Sequence, residues 1–104
     1  MTIQLNADNN LTVHDVFRDK LNNSLQEGLY RFSDHITRLE VHLSDDTEFR
    51  FGPNDKKCLL EACIEGRSPI VVSAGANNFQ VAVYSAVTKL RSSLDSFLGR
   101  MQNY

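Results

Sequence analysis

The sequence predicts an α+β fold with the element order β-α-β-β-β-α. Three observations support this: two long stretches carry apolar residues at three- and four-residue steps, four short stretches alternate apolar with polar, and turn formers separate them. Residues 2–6 (Thr-Ile-Gln-Leu-Asn) alternate as a short first strand, and Asp8-Asn9-Asn10 is a turn cluster. Thr12 is placed to cap a helix, with Asp15 as the acidic partner of a capping-box variant. Val13, Val16, Phe17, Leu21, Leu25, Leu29 and Phe32 then form one apolar stripe on a helix of about 20 residues, with its exit at Ser33-Asp34. Gly28 is a weak point in that stripe, costing about 1 kcal/mol relative to Ala.

Residues 36–44 alternate cleanly. Leu39, Val41 and Leu43 point one way, and Arg38, Glu40, His42 and Ser44 the other. Residues 45–55 read as a polar loop that Phe49 and Phe51 would pin to the body. Residues 57–65 form a third strand with Cys58, Leu60, Ala62 and Ile64 on one face, and Gly66-Arg67-Ser68-Pro69 turns it into a fourth strand over 70–74. Asn77 and Asn78 can each cap the second helix. That helix aligns Phe79, Val83, Ala86, Val87, Leu90, Leu94, Phe97, Leu98 and Met101.

One greasy stripe per helix and one greasy face per strand predict both helices on the same face of a four-stranded sheet. A right-handed first crossover makes strands one and two parallel, and strands three and four form an antiparallel hairpin. Leu39, Val41, Leu60, Ile64, Phe17, Leu21, Val83, Leu90 and Leu94 are expected in the core, and Glu40, His42, Glu61 and Glu65 on the solvated sheet face.

At 104 residues the chain is expected to form a single domain, 1–104, that needs no disulfide or metal to hold its core. Cys58 and Cys63 fall on opposite faces of one strand and cannot bridge within it. The start of the chain has no basic and apolar signal pattern, and no run approaches the roughly 20 apolar residues of a membrane span. The cytoplasm is the expected compartment, with no membrane partner.

The formal net charge of −2 argues against a dedicated, strongly basic nucleic-acid binder. The halves differ, however. Residues 1–52 hold five Lys and Arg against nine Asp and Glu, whereas residues 53–104 hold six against four. A polyanion-binding surface is therefore expected to draw on the second half. There Lys89, Arg91 and Arg100 avoid the apolar stripe of the second helix, and Lys56, Lys57 and Arg67 bracket the third strand. Taken alone these are a solvated face, with Arg100 also suited to the helix C-terminal dipole.

Catalytic patterns are lacking. His14, His35 and His42 have no ligand spacing, no Gly-x-Ser-x-Gly elbow occurs, and Asp45-Asp46 reads as a solvated turn. The glycine-containing turn Gly75-Ala76-Asn77-Asn78 reads as a helix cap before it reads as a phosphate cradle. No enzyme activity, cofactor, metal or small-molecule substrate is expected.

The residues carry a resemblance across nearly the whole chain. Ile-Gln-Leu-Asn at 3–6 followed by Asn9-Asn10, Val16-Phe17-Arg18-Asp19, the strand 38–43, and above all Ser73-Ala74, Asn77-Asn78, Ala82 and Lys89-Leu90 resemble the short ribosome hibernation-promoting factors and the ribosome-associated translation inhibitor. This bacterial group is also labelled sigma-factor modulation proteins. The resemblance implies a fold related to the double-stranded-RNA-binding domain. It also implies binding to the small ribosomal subunit, in the channel used by mRNA and tRNA, through basic residues on rRNA phosphates. Arg18 and Lys89 stand where the family has basic residues; Arg91 precedes the usual Arg, which here is Ser92.

The Lys-rich helix end of the family is replaced by Asp95-Ser96-Phe97-Leu98-Gly99-Arg100, so fewer phosphates are met. The expected rRNA-facing set is Arg18, Lys56, Lys57, Lys89, Arg91 and Arg100, on a monomer or weak dimer that inhibits translation or promotes hibernation under stress. The alternative is a divergent relative that binds a protein partner through Phe97, Met101 and Tyr104.

Overall fold

The structure, a computed structural model, describes residues 1–8, 13–45 and 56–102, with side chains described as far as Gly99. Strand β1 (Thr2–Ala7) leads to helix α1 (Asp15–Gly28), followed by β2 (Arg38–Asp45), β3 (Lys56–Cys63), β4 (Ile70–Ala76) and helix α2 (Phe79–Gln102). The sheet order is β1-β2-β3-β4. β1 runs parallel to β2, with Ile3 opposite Leu39 and Leu5 opposite Val41, and the other two pairings are antiparallel. The topology is the one the alternation and the crossover rule predict.

Alternation decides which face is covered. Leu39, Val41 and Leu43 of β2, Cys58, Leu60 and Ala62 of β3, and Ala74 and Ala76 of β4 are buried beneath the helices, together with Leu21, Leu25, Ala82, Val83, Ala86, Val87, Leu90 and Leu94. Ile3, Leu5, Phe17 and Ile64 are partly buried against this core. The opposite face carries Glu40, His42, Lys57, Leu59, Glu61, Cys63, Val71 and Ser73. Glu65 lies beyond β3, in the turn to β4.

Helix α1 departs from its sequence reading at both ends. It starts at Asp15 with His14 as N-cap and no side-chain cap hydrogen bond; Thr12, the expected cap, lies outside the described residues. Val16 leaves the stripe and is 70% exposed, because Phe17, one residue and about 100° further round the helix, takes the inward position in line with Leu21 and Leu25. The α-helix ends at Gly28, and a 3-10 turn, Tyr30–Phe32, then keeps Leu29 and Phe32 buried. Gly28 is a packing requirement and not only a weak point: a Cβ there would lie 2.9 Å from Cγ1 of Val87 on α2. The glycine lets the two helices approach.

At α2 the choice between the two asparagines falls on Asn78, whose Oδ1 accepts the Val81 backbone N–H at 2.9 Å. The β3–β4 turn uses Gly66 at φ 74°, a conformation that glycine adopts without a Cβ penalty. The expected contacts of Phe49 and Phe51 lie outside the described residues.

Candidate nucleic-acid interface

The two helices lie side by side on the sheet, and a groove runs along their shared outer surface. One face of α1 (Phe17, Lys20, Leu21, Ser24, Glu27, Gly28) and one face of α2 (Gln80, Val83, Tyr84, Val87, Thr88, Arg91) line a groove of about 440 Å³. Both sets step by three and four residues, the spacing of a single helix face. The floor is apolar, made by Phe17, Leu21, Val83 and Val87. The rim carries Lys20 on the α1 wall and Arg91 on the α2 wall, each exposed and without an ion-pair partner among the described residues. Tyr84 stands on the α2 wall with 74% of its surface exposed. Thr88 donates its hydroxyl proton to the Tyr84 carbonyl at 3.0 Å, so that hydroxyl is already engaged.

Of the six basic residues selected from sequence, the five with described side chains do not form one surface. Arg91 is on the groove. Arg18 lies on the other flank of α1, over a smaller cleft shared with Ile3, Leu5, Asp19, Asn22 and Leu25 beside β1. Lys89 leans across β4 and donates to the Ser73 carbonyl at 2.8 Å, which covers a backbone acceptor on an edge strand. Lys56 is folded inward. Its Nζ lies 2.6 Å from Asp45 Oδ2, across the β2–β3 pairing, and 5.9 Å from the centre of the Phe79 ring. Lys57, next to buried Cys58, points to the open sheet face, away from both helices. The side chain of Arg100 lies outside the described residues.

Two further cations have partners at the surface of the chain. Arg31 pairs with Asp95, which neutralises the acidic residue of the α2 end, and it lies 4.6 Å from the centre of the Phe32 ring. Arg67 lies 5.5 Å from the centre of the Phe97 ring, so Phe97 is half-buried rather than a free anchor for a partner protein. Met101 and Tyr104, its companions in that alternative, lie outside the described side chains.

Sequence reasoning missed Lys20, Gln80 and Tyr84. Lys20 belongs to the half of the chain with the acidic balance. The signal was present in its spacing from Phe17 and Ser24, which puts it on the flank of α1 that turns toward α2.

The open sheet face has different electrostatics. Glu40 and Glu61 are opposite each other in register. A hydrogen bond that protonated Glu61 donates to the Glu40 carboxylate, with partial burial and the Glu40 charge, pushes the Glu61 carboxyl above its ordinary range, opposed by His42 and Arg38. Arg38 pairs with Glu40 on the same face at 3.8 Å. Among the described residues no group of three or more His, Cys, Asp or Glu is placed to hold a metal, and no helix is long and apolar enough to cross a membrane.

The sequence matches the family described as "Sigma 54 modulation protein / S30EA ribosomal protein" over residues 3–102. The fold is similar to that of a ribosomal subunit interface protein from Coxiella burnetii, with a TM-score of 0.75 at 18% identity, covering 95% of this chain and 99% of that one. It is also similar to the N-terminal domain of Thermus thermophilus protein Y, with a TM-score of 0.71 at 21% identity, covering 93% of this chain and 99% of that domain. Among curated proteins no sequence relative matches significantly.

Proposed function

The chain belongs to the sigma 54 modulation protein and S30EA ribosomal protein family, and on that premise we propose that it is a ribosome-associated factor that holds the small subunit through rRNA phosphates and inhibits translation or promotes hibernation under stress. It does so as a binder and not as a catalyst, in the cytoplasm where ribosomes work. The observation that carries the reading is the pair Lys20 and Arg91, two exposed cations without described ion-pair partners on the facing walls of the inter-helix groove. Arg18 extends the cationic surface on the far side of α1. Phosphate contacts of this kind position a protein on RNA without reading sequence.

The family background and the open sheet face point the same way. With Glu40 and Glu61 opposite each other on that face, the groove between the helices, with Lys20 and Arg91, is the better match to a polyanion. Lys89, which is exposed, also donates to the edge of β4, and Lys56 also pairs with Asp45, so both have a scaffold role beside any phosphate contact.

The reading is tested by adding the purified protein to small ribosomal subunits and to a translating extract. It should sediment with the subunits at low salt, be released as salt rises, and lower protein synthesis in the extract. Failure to sediment with subunits even at low salt would reject it.

A further inference from the structure

The inter-helix groove has more than its phosphate contacts need. Phosphates bind to charges on a surface and gain nothing from an apolar floor. Here the space between Lys20 and Arg91 is floored by Phe17, Leu21, Val83 and Val87 and walled by an aromatic ring that is mostly in solvent. Its volume of about 440 Å³ lies within the usual range for a small-ligand site. The hydroxyl proton of Thr88 is given to the backbone, and the Gln80 amide and the Ser24 hydroxyl are neutral groups on the groove with both a donor and an acceptor.

We propose that this groove receives one unstacked base of a single-stranded RNA segment, with the base laid on the Tyr84 ring and its flanking phosphates against Lys20 and Arg91. The inference rests on the RNA-binding reading above and names the form of RNA that the site takes. Bases freed from a helix are held by stacking on aromatic rings, and the backbone beside them by cations. Tyr84 with Arg91 and Lys20 supplies both on one groove. Glu27 adds one negative charge to the groove, seven residues along α1 from Lys20, about 10 Å at the helical rise. Gln80 offers a donor and an acceptor alike, so it orients a base without excluding any of the four.

The test compares wild type, Tyr84→Phe and Tyr84→Leu for affinity to purified small ribosomal subunits over a series of salt concentrations. Tyr84 is exposed, so all three should melt together. Stacking on an aromatic side chain is sequence-tolerant and survives the loss of a hydroxyl. Tyr84→Phe should therefore bind like wild type, and Tyr84→Leu about tenfold more weakly at every salt, with the salt slope unchanged because no charge is lost. Binding of Tyr84→Leu within twofold of wild type would overturn the base-stacking inference and leave ribosome binding standing. Failure of wild type itself to bind at low salt would overturn the RNA reading and this inference together.

Discussion

Gly28 and Val87 set the distance between the two helices: a methyl group on the Gly28 Cα would lie 2.9 Å from Val87 Cγ1, closer than packed carbon atoms come. The groove carrying Lys20, Tyr84 and Arg91 is lined by both residues. Gly28→Ala gains up to about 1 kcal/mol in helix propensity but must push a stiff, buried valine aside, at about 1–3 kcal/mol. The net expectation is a loss of about 1 kcal/mol. In a Val87→Ala background the clash is gone and the same change should be neutral or stabilising, giving a coupling of about 1–2 kcal/mol in a double-mutant cycle. A higher melting temperature for Gly28→Ala alone would contradict the close approach.

The two thiols should react very differently. Cys58 is fully buried, and burial pushes its thiol up to about 12. Cys63 is half-buried and sits on the open sheet face. A thiol reagent at pH 8 should modify Cys63 in the native protein and reach Cys58 only on unfolding. Equal labelling rates would contradict the packing of β3 under the helices.

The Glu40–Glu61 pair predicts a pH dependence of stability. The folded state holds a proton on Glu61 above the ordinary glutamate range, so it binds more protons than the unfolded chain in that window. Stability is then fully present below the ordinary glutamate value and declines as pH rises through the raised one. Glu61→Gln should flatten this decline in thermal melts recorded across the window, and an unchanged pH profile would remove the pair as its source. The same substitution should leave ribosome binding intact or slightly stronger, because the carboxylates lie on the face away from the helices.

The strands were legible because burial on one face imposes a period of two on every one of them. Leu39-Val41-Leu43 and Cys58-Leu60-Ala62 show it without interruption, and both sets are buried. The helix cap at Asn78 was legible as one of two neighbours. The close approach at Gly28 was not, because its cause is Val87, 59 positions away in the chain. The fate of each cation was hidden for a similar reason. Lys89 has the sequence context of a solvated helix residue, yet the adjacent edge strand offers it the Ser73 carbonyl, and Lys56 meets Asp45 only through strand register. Charge counted by halves of the chain does not locate the groove, which draws Lys20 from one half and Arg91 from the other.

The central claim is that Lys20 and Arg91 meet RNA phosphates across the groove, and it is tested most directly by the salt dependence of binding to purified small ribosomal subunits. Wild type, with a few phosphate contacts, should show a log–log slope of about −2 to −4. The variant carrying Lys20→Gln and Arg91→Gln should bind more weakly, and each lost contact should reduce the magnitude of the slope by about 1. It should keep wild-type stability, as exposed substitutions usually stay within about 0.5 kcal/mol. A double variant with the wild-type slope and affinity would contradict the claim.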